Sequence, residues 1–281
     1  MTRLGFAALV VLVPAMAAAG PDHFITMDRQ DGSSFAGIEL SKLFYDSKLT
    51  TGGDLSGMRF DLHAQYVTPN AIGLYLTAPI GHVSASGAGM SESYTSLGDI
   101  EVGGIFIPQL TASNVKLVLH AGVTLPTQDK DTNKAQTTLF TVFPRITDFY
   151  LAVPEGLSVR AGVSPMITSG QLFVRADFGF DANISAASTA NDVKSFLRAN
   201  FGVGANLGVA AVMIESTNVY ATGNNNPNAS FGSSWFNTGA LSARFDGGSV
   251  YPYAALVVGL DHDVNQIMNE AITIGIDGRL R

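Results

Sequence analysis

The sequence predicts a transmembrane antiparallel β-barrel of about twelve strands, within a range of twelve to fourteen. Three observations carry that expectation. Apolar and polar residues alternate with a period of two along much of the chain, while helical periodicity is scarce. The alternating runs are long, close to the ~9–11 residues of a membrane-crossing strand rather than the ~5–6 of an ordinary one. The faces opposite the apolar ones carry Gly, Asn and isolated charges of both signs, and charged residues make up only 14% of the chain. A soluble β-sandwich shares the alternation, but its water-facing side usually carries more Lys and Glu, so the balance falls to the barrel.

The elements follow in order. The N-terminus carries Arg3, an apolar stretch from Phe6 to Met16, and the small residues Ala17, Ala18 and Ala19 before Gly20 and Pro21. That order reads as a secretory signal peptide over 1–19 and implies export. Residues 20–34 are read as an N-terminal segment, a short plug or a periplasmic tail, and 35–281 as the barrel. The clearest strands are 58–67, 114–125, 157–164, 171–181, 195–207 and the final stretch to Leu280. In the first of these, Met58, Phe60, Leu62, Ala64 and Tyr66 oppose Arg59, Asp61, His63 and Gln65. Weaker strands are read at 35–45, 71–80, 98–107, 137–150, 208–218, 235–245 and 250–260. Long polar connections are expected at 46–57, 81–97, 126–136, 182–194 and 221–234. This makes thirteen strands, but the alternation of short and long connections slips once between 137 and 194, and Pro144 marks the doubtful span. Aromatics near strand ends, Phe44, Tyr45, Tyr66, Tyr75, Tyr94, Phe149, Tyr150, Trp235, Phe236, Tyr251 and Tyr253, are expected to form girdles at the membrane interfaces. The Gly278-Arg279-Leu280-Arg281 ending departs from the terminal aromatic common in bacterial barrels.

Composition excludes several classes of function. The chain has 281 residues and no Cys, so disulfides, thiolate metal sites and Cys nucleophiles are absent. A net charge of −7 argues against nucleic acid as a partner. No G-x-S-x-G, P-loop or H-E-x-x-H motif occurs, and Gly202-Val203-Gly204 lacks the third glycine of a dinucleotide fingerprint. Asp129-Lys130-Asp131-Thr132-Asn133 begins like a calcium loop, but Lys134 and Phe140 stand where that loop needs Gly and Glu. This segment and Asp261-His262-Asp263 are read as solvated loops. The sequence is therefore read as that of a non-enzyme with no cofactor and no metal.

If the apolar faces meet lipid, the polar faces line a lumen. Arg59, Asp61, His63, Lys116, His120, Arg160, Arg175, Asp177, Arg198 and Arg244 share that inward parity. Buried charges must be paired or wet, and Arg59–Asp61 and Arg175–Asp177 are the candidate pairs. Such a lining either selects small solutes or rigidifies a narrow, filled barrel.

Residues 97–128 read LGDIEVGGIFIPQLTASNVKLVLHAGVTLPTQ. Leu97-Gly98-Asp99-Ile100, followed by Gly122, Leu125, Pro126 and Thr127, resembles the outer-membrane barrel family named for the MetA pathway of phenol degradation. The resemblance covers about a third of the chain well. It departs where Gln128 and Asp129 follow Thr127, since a Gly often stands after that Thr. The resemblance implies a bacterial outer-membrane channel or uptake protein for small, often aromatic or hydrophobic, solutes. Its partners would be membrane lipid, lipopolysaccharide and the solute. From the residues alone, Gly98, Asp99, Gly122 and Pro126 form a structural turn motif in which the glycines permit a bend or lumen clearance and Pro126 ends a strand. The alternatives are a non-conducting structural or adhesive outer-membrane protein, motivated by the long Ser/Gly/Asn loops, and a soluble secreted β-protein.

Overall fold

The structure, a computed structural model, describes residues 24–49, 53–87, 90–112, 114–129, 131–153, 157–185, 193–223 and 234–280. The signal-peptide reading of 1–19 lies outside them, and of the segment 20–34 only 24–34 lies inside. The strands are β1 (Phe35–Tyr45), β2 (Gly53–Val67), β3 (Ile72–Gly87), β4 (Met90–Leu97), β5 (Ile100–Phe106) and β6 (Val115–Leu125). After α1 (Thr132–Thr141) and a 3-10 stretch (Phe143–Ala152) come β7 (Leu157–Ser169), β8 (Leu172–Ser185), β9 (Val193–Asn206) and β10 (Ala210–Gly223). The chain continues through β11 (Ser234–Phe245), β12 (Val250–Gly259), α2 (His262–Asn265) and β13 (Met268–Arg279).

Each strand pairs antiparallel with its sequence neighbours except β4 and β5, which both pair with β3, and β1 pairs with β13 from Phe35↔Arg279 onward, which closes the sheet. Thirteen strand segments make twelve staves, because β4 and β5 lie end to end along one edge of β3. The fold is a closed twelve-stranded antiparallel β-barrel. Among the described residues, closure leaves only one edge of β4 without a strand partner, so the wall satisfies its backbone groups without any disulfide. At one end the connections are tight turns, and Gly170, Gly208 and Gly248 adopt φ of 62°, 94° and 78° there. The other end carries most of the longer connections, the exceptions being 107–114 between β5 and β6 at the tight-turn end and the two-residue 88–89 between β3 and β4 opposite it.

The period-two alternation sorts as lipid-side and lumen-side faces. Leu74 is 72% exposed and Ile214 63% exposed, with Ile274 and Leu241 among many others on the outer surface. The inward neighbours of these residues, such as Tyr75, Glu215, Thr273 and Ser242, are buried. A continuous apolar exterior around a closed sheet is the surface of a membrane-spanning barrel, since a water-soluble protein rarely exposes an apolar patch above a few hundred Å².

Three readings of the sequence are corrected. The strand read at 137–150 is instead the second half of α1, whose first turn stays partly exposed, and the 3-10 stretch, which is folded into the lumen between β6 and β7. Asp131 accepts from the amides of Asn133 and Lys134 and so caps α1. Thr137 and Thr141 turn their hydroxyls back onto the carbonyls four residues earlier. The 3-10 stretch is buried from Phe143 through Ala152, so its apolar residues mimic a strand without a period. The segment 129–133, read as a solvated loop, is thus in part a helix start, and Asp261 caps α2 in the same way.

Second, 81–97 is mostly strand rather than a long loop. β3 runs on to Gly87, and β4 begins at Met90. Small residues such as Ser84, Ser86, Ser91 and Ser93 carry no apolar alternation there, which hid the pairing Ser84↔Ser93 and Ser86↔Ser91. Likewise β2 begins at Gly53, β8 extends to Ser185, and β9 begins at Val193.

Third, most of the expected girdle aromatics point inward. Phe44, Tyr66 and Trp235 are exposed, whereas Tyr75, Phe149, Tyr150, Phe236, Tyr251 and Tyr253 are buried. The inward parity of the strand residues among them was legible, whereas the inserted 3-10 stretch that carries Phe149 and Tyr150 was not, and position near a strand end does not reveal which face a ring occupies.

Candidate functional site

A twelve-stranded wall encloses more space than its own side chains fill, since eight strands are side-chain filled and sixteen leave a channel. Two segments occupy that space here. One is the N-terminal segment, buried from Phe24 to Asp31; the other is α1 with the 3-10 stretch. The wall yields room for them at inward glycines. A Cβ on Gly202 would run into the Phe24 ring and lie 2.8 Å from Met27 Sδ, and one on Gly81 would run into Thr141.

The ten inward residues read from the sequence all face this lumen. Arg59 grips Asp61 through Nε and Nη2, both at 2.8 Å, and Arg175 Nε donates to Asp177 at 2.8 Å. Each pair is two residues apart on one strand, which places both side chains on one face. His63 Nε2 lies 2.8 Å from Asp277 Oδ1, and the two meet over Gly37, where a Cβ would collide with both. Lys116 Nζ donates to the Asp31 carbonyl at 3.3 Å. Arg244 is buried on β11.

The remaining three converge on Asp28. Arg160 Nη2 donates to its carboxylate at 2.5 Å, Arg198 Nη1 donates to the other oxygen, and His120 Nε2 stands 3.3 Å away. Arg198 also holds Asp181 at 3.0 Å. The Asp28 amide donates to Asp177 at 3.1 Å, and Arg175 Nη2 donates to the Asp28 carbonyl at 2.7 Å. Burial would by itself raise the Asp28 carboxyl, but the Arg160 and Arg198 guanidiniums hold it well below the usual carboxylate range.

The sequence reading missed half of this lattice. Arg29 reaches Glu39 and Asp148, both at 3.3 Å, and Asp61 at 3.5 Å. Asp148 also takes Arg59 at 2.7 Å and Arg145 at 3.2 Å. Burial works against its ionised form too, yet Arg145, Arg59 and Arg29 keep the Asp148 carboxyl depressed. Arg145 donates to the carbonyls of Ile25 and Met27, the latter at 2.9 Å. Glu215 accepts from the Ile25 amide at 3.2 Å and the Thr26 amide at 2.7 Å. The N-terminal segment is therefore held largely by its backbone, carbonyls to arginines and amides to carboxylates. Glu39, Glu101, Asp181 and Glu215 share the inward parity and were legible by it. Asp28, Arg29, Arg145 and Asp148 sit in no periodic pattern, and nothing in the sequence marked them.

The lumen is unevenly divided. Toward β8–β13, Phe24, Phe143, Phe149, Phe173, Phe196 and Phe236 form an apolar cluster. Phe149 packs 4.9 Å from Phe236 and stacks 6.1 Å from Phe196, and Phe24 meets Phe173 edge-on at 5.3 Å. Ionic filling runs along β1–β9, from Glu39 and Arg59 to Asp181 and Arg198, with Glu215 beyond it on β10 and a small apolar group of Tyr75, Ile105 and Val118 within it. Buried ion pairs of this kind add little net stability over apolar packing, but losing one partner is costly, so the lattice mainly fixes where the inserted segments sit.

The two halves of the 97–128 motif meet in space. Thr127 Oγ1 donates to the Gly98 carbonyl at 2.8 Å and accepts from the Ile100 amide at 3.1 Å. Asp99, buried, accepts from the Gln128 amide at 2.9 Å. Pro126 ends β6 just there, so Thr127 and Asp99 replace the ladder bonds at the β4–β5 break. Gly98 gives clearance to Pro79 and Leu151, and Gly122 to Tyr75 and Glu101.

Fold and lumen together define a closed, outer-membrane-type β-barrel whose interior is filled by two of its own segments. The sequence matches no known family profile and no curated protein. Among solved structures it is similar to an outer-membrane channel from Pseudomonas putida F1, with a TM-score of 0.65 at 13% identity over 89% of this chain and 96% of that one. It is also similar to LpxR from Salmonella typhimurium, with a TM-score of 0.50 at 9% identity over 88% of this chain and 100% of that one. The translocator domain of the autotransporter NalP from Neisseria meningitidis gives a TM-score of 0.44 at 12% identity, covering 88% of each chain. At these identities the likeness is one of fold.

Proposed function

We propose that the chain is a bacterial outer-membrane channel for small solutes, and that the conformation described is its closed state. One observation carries this reading. The lumen of a twelve-stranded wall is filled by two separate segments, and a polar lattice of Asp28, Arg29, Arg145 and Asp148 docks them against inward strand residues. Hydrogen bonds and ion pairs to a segment can be exchanged for water as it leaves, which side chains belonging to the wall cannot do. The fold likeness to an outer-membrane channel is consistent with the reading. The apolar exterior supports residence among lipid and lipopolysaccharide.

The chain acts without catalysis in this reading. Among the described residues His63 bonds Asp277, His82 bonds Thr95, His120 faces Asp28 and His262 bonds Gln266, so a serine hydroxyl accompanies none of them. The filled lumen also favours a second reading, a sealed structural or adhesive barrel. Purified protein in planar bilayers separates the two. A channel gives discrete, transient conductance steps, and a barrel that stays electrically silent under voltage refutes the channel reading.

A further inference from the structure

The inserted segments are not held equally on all sides. Toward β8–β13 they pack through the phenylalanine cluster, and toward β6–β9 the Asp28 lattice ties them down, with His120 Nδ1, Arg160 Nε and Arg175 Nη1 left without hydrogen-bond partners within it. Toward β2 and β3 the contact is incomplete as well, and there it leaves gaps. Arg29 Nε and Gln30 Oε1 on the N-terminal segment, and His63 Nδ1 and Gln65 Oε1 on β2, are buried with no hydrogen-bond partner. All four residues line one narrow gap, together with Tyr75 and Thr77. Higher on the same wall Arg59, Pro79 and Gly81 face Thr138, Thr141 and Asp148 across a second gap of about 10 Å³, room for about one water. Register places Gln65↔Tyr75, His63↔Thr77, Asp61↔Pro79 and Arg59↔Gly81 in successive inward rows of β2 and β3. Both gaps therefore lie on one line, and the Arg29–Asp61–Arg59–Asp148 cluster sits between them.

A buried polar group without a partner bears its full desolvation cost, and parting the surfaces so that water enters removes that cost. The same move on the opposite side would expose phenylalanine rings, which water does not repay. We infer that the solute path is the seam between β2–β3 and the two inserted segments, and that it admits small polar solutes in preference to apolar ones of the same size. The inference rests on the channel reading. The seam offers donors from Arg29 and Arg59 and acceptors from Asp61, Asp148, Gln30 and Gln65, so a solute shedding water finds both kinds of partner along the line. The Arg29–Asp148 contact, 3.3 Å between the two inserted segments, is the point that must loosen for passage.

The chain has no Cys, which makes single-cysteine labelling clean. Thr77→Cys and Thr138→Cys place thiols at the lower and upper gaps. Ala240→Cys and Ala255→Cys place them in the apolar cluster on β11 and β12. Each variant is reconstituted in liposomes after its heat-dependent gel shift confirms a folded barrel, and is treated with a trimethylammonium methanethiosulfonate. The two seam thiols should react at least tenfold faster than the two control thiols, and their modification should lower the conductance. Equal rates, or faster reaction at Ala240 and Ala255, overturn the seam. Should the unmodified protein pass no current, the channel reading fails alone, because labelling rates still report whether water follows the seam. Liposome swelling in isosmotic glutamine should outpace swelling in isosmotic methionine, and equal or reversed rates overturn the preference for polar solutes.

Discussion

Asp28→Asn removes the one carboxylate that Arg160, Arg198 and His120 share, and it does so on the segment that fills the lumen rather than on the wall. Deleting one partner of a buried ion pair costs about 3–5 kcal/mol because the other charge is left uncompensated. Here the remaining charges keep some company. Arg198 retains Asp181 at 3.0 Å, and Arg160 retains Glu101 at 3.6 Å and Asp181 at 3.7 Å. The lower end, about 3 kcal/mol, is therefore the fitting figure. At about 1.4 kcal/mol per factor of ten, the undocked population of the N-terminal segment should rise roughly a hundredfold. Arg29, the next residue, is only 5% exposed when docked, so trypsin can cut after it only from the undocked state. When undocking is fast relative to cleavage, the cleavage rate follows that population. Mass spectrometry of the released N-terminal peptide gives the rate at this one bond, and planar-bilayer recordings should show longer open times. A wild-type cleavage rate at Arg29 in a folded Asp28→Asn barrel would mean that the lattice does not hold the segment, and the reasoning fails.

Four further outcomes follow from the same geometry. Gly202→Val puts side-chain atoms where Phe24 and Met27 Sδ lie, and should raise cleavage at Arg29 without removing any charge; unchanged cleavage would show that the segment repacks freely. The Asp28 and Asp148 carboxyls are depressed in the docked state, so their contribution is complete above the ordinary value of 3.8 and is lost as pH falls through the depressed values. Docking, read by conductance, should hold from pH 7 to pH 5 as far as these two groups govern it (about the carboxylate titration range), and segment release at pH 6 in wild type but not in Asp28→Asn would reverse the sign. Thr127→Val loses both bonds that splice β5 to the end of β6 and should lower barrel stability by about 1–3 kcal/mol in urea titrations, at roughly 0.5–1.5 kcal/mol per bond; an unchanged midpoint argues that the β4–β5 break is supported elsewhere. Ile274→Arg, mid-strand on the outer face of β13, should cost about 2–4 kcal/mol in lipid, whereas Leu74→Arg near the turn end should cost about 0–1, and equal costs would contradict the lipid-facing assignment.

The sequence by itself determined the wall. Period two is a property of the extended chain, so the parity of Arg59, Asp61 and His63 against Met58, Phe60 and Leu62 decides which atoms face which medium before any partner strand is known. Scarcity of charge and length of run then chose lipid over a second protein layer. The strand stretches that escaped notice, such as the Ser-rich ends of β3 and β4, are those where neither face is apolar, because alternation is visible only where a lipid boundary imposes it.

Only the tertiary structure decided what fills the wall. The segment Phe24–Asp31 makes its bonds to residues up to 191 positions away, and many of them through backbone amides and carbonyls that every sequence possesses. The span 137–150 resembled a strand because burial on all sides makes apolar residues frequent without giving them a period. Thr127 and Gly98 lie 29 positions apart, and their composition gives no sign that one hydroxyl bridges the break. A wall is written in local periodicity, which one chain segment carries alone. The contents of the lumen depend on which groups remain unsatisfied after the circuit closes, and that is settled by all twelve staves together.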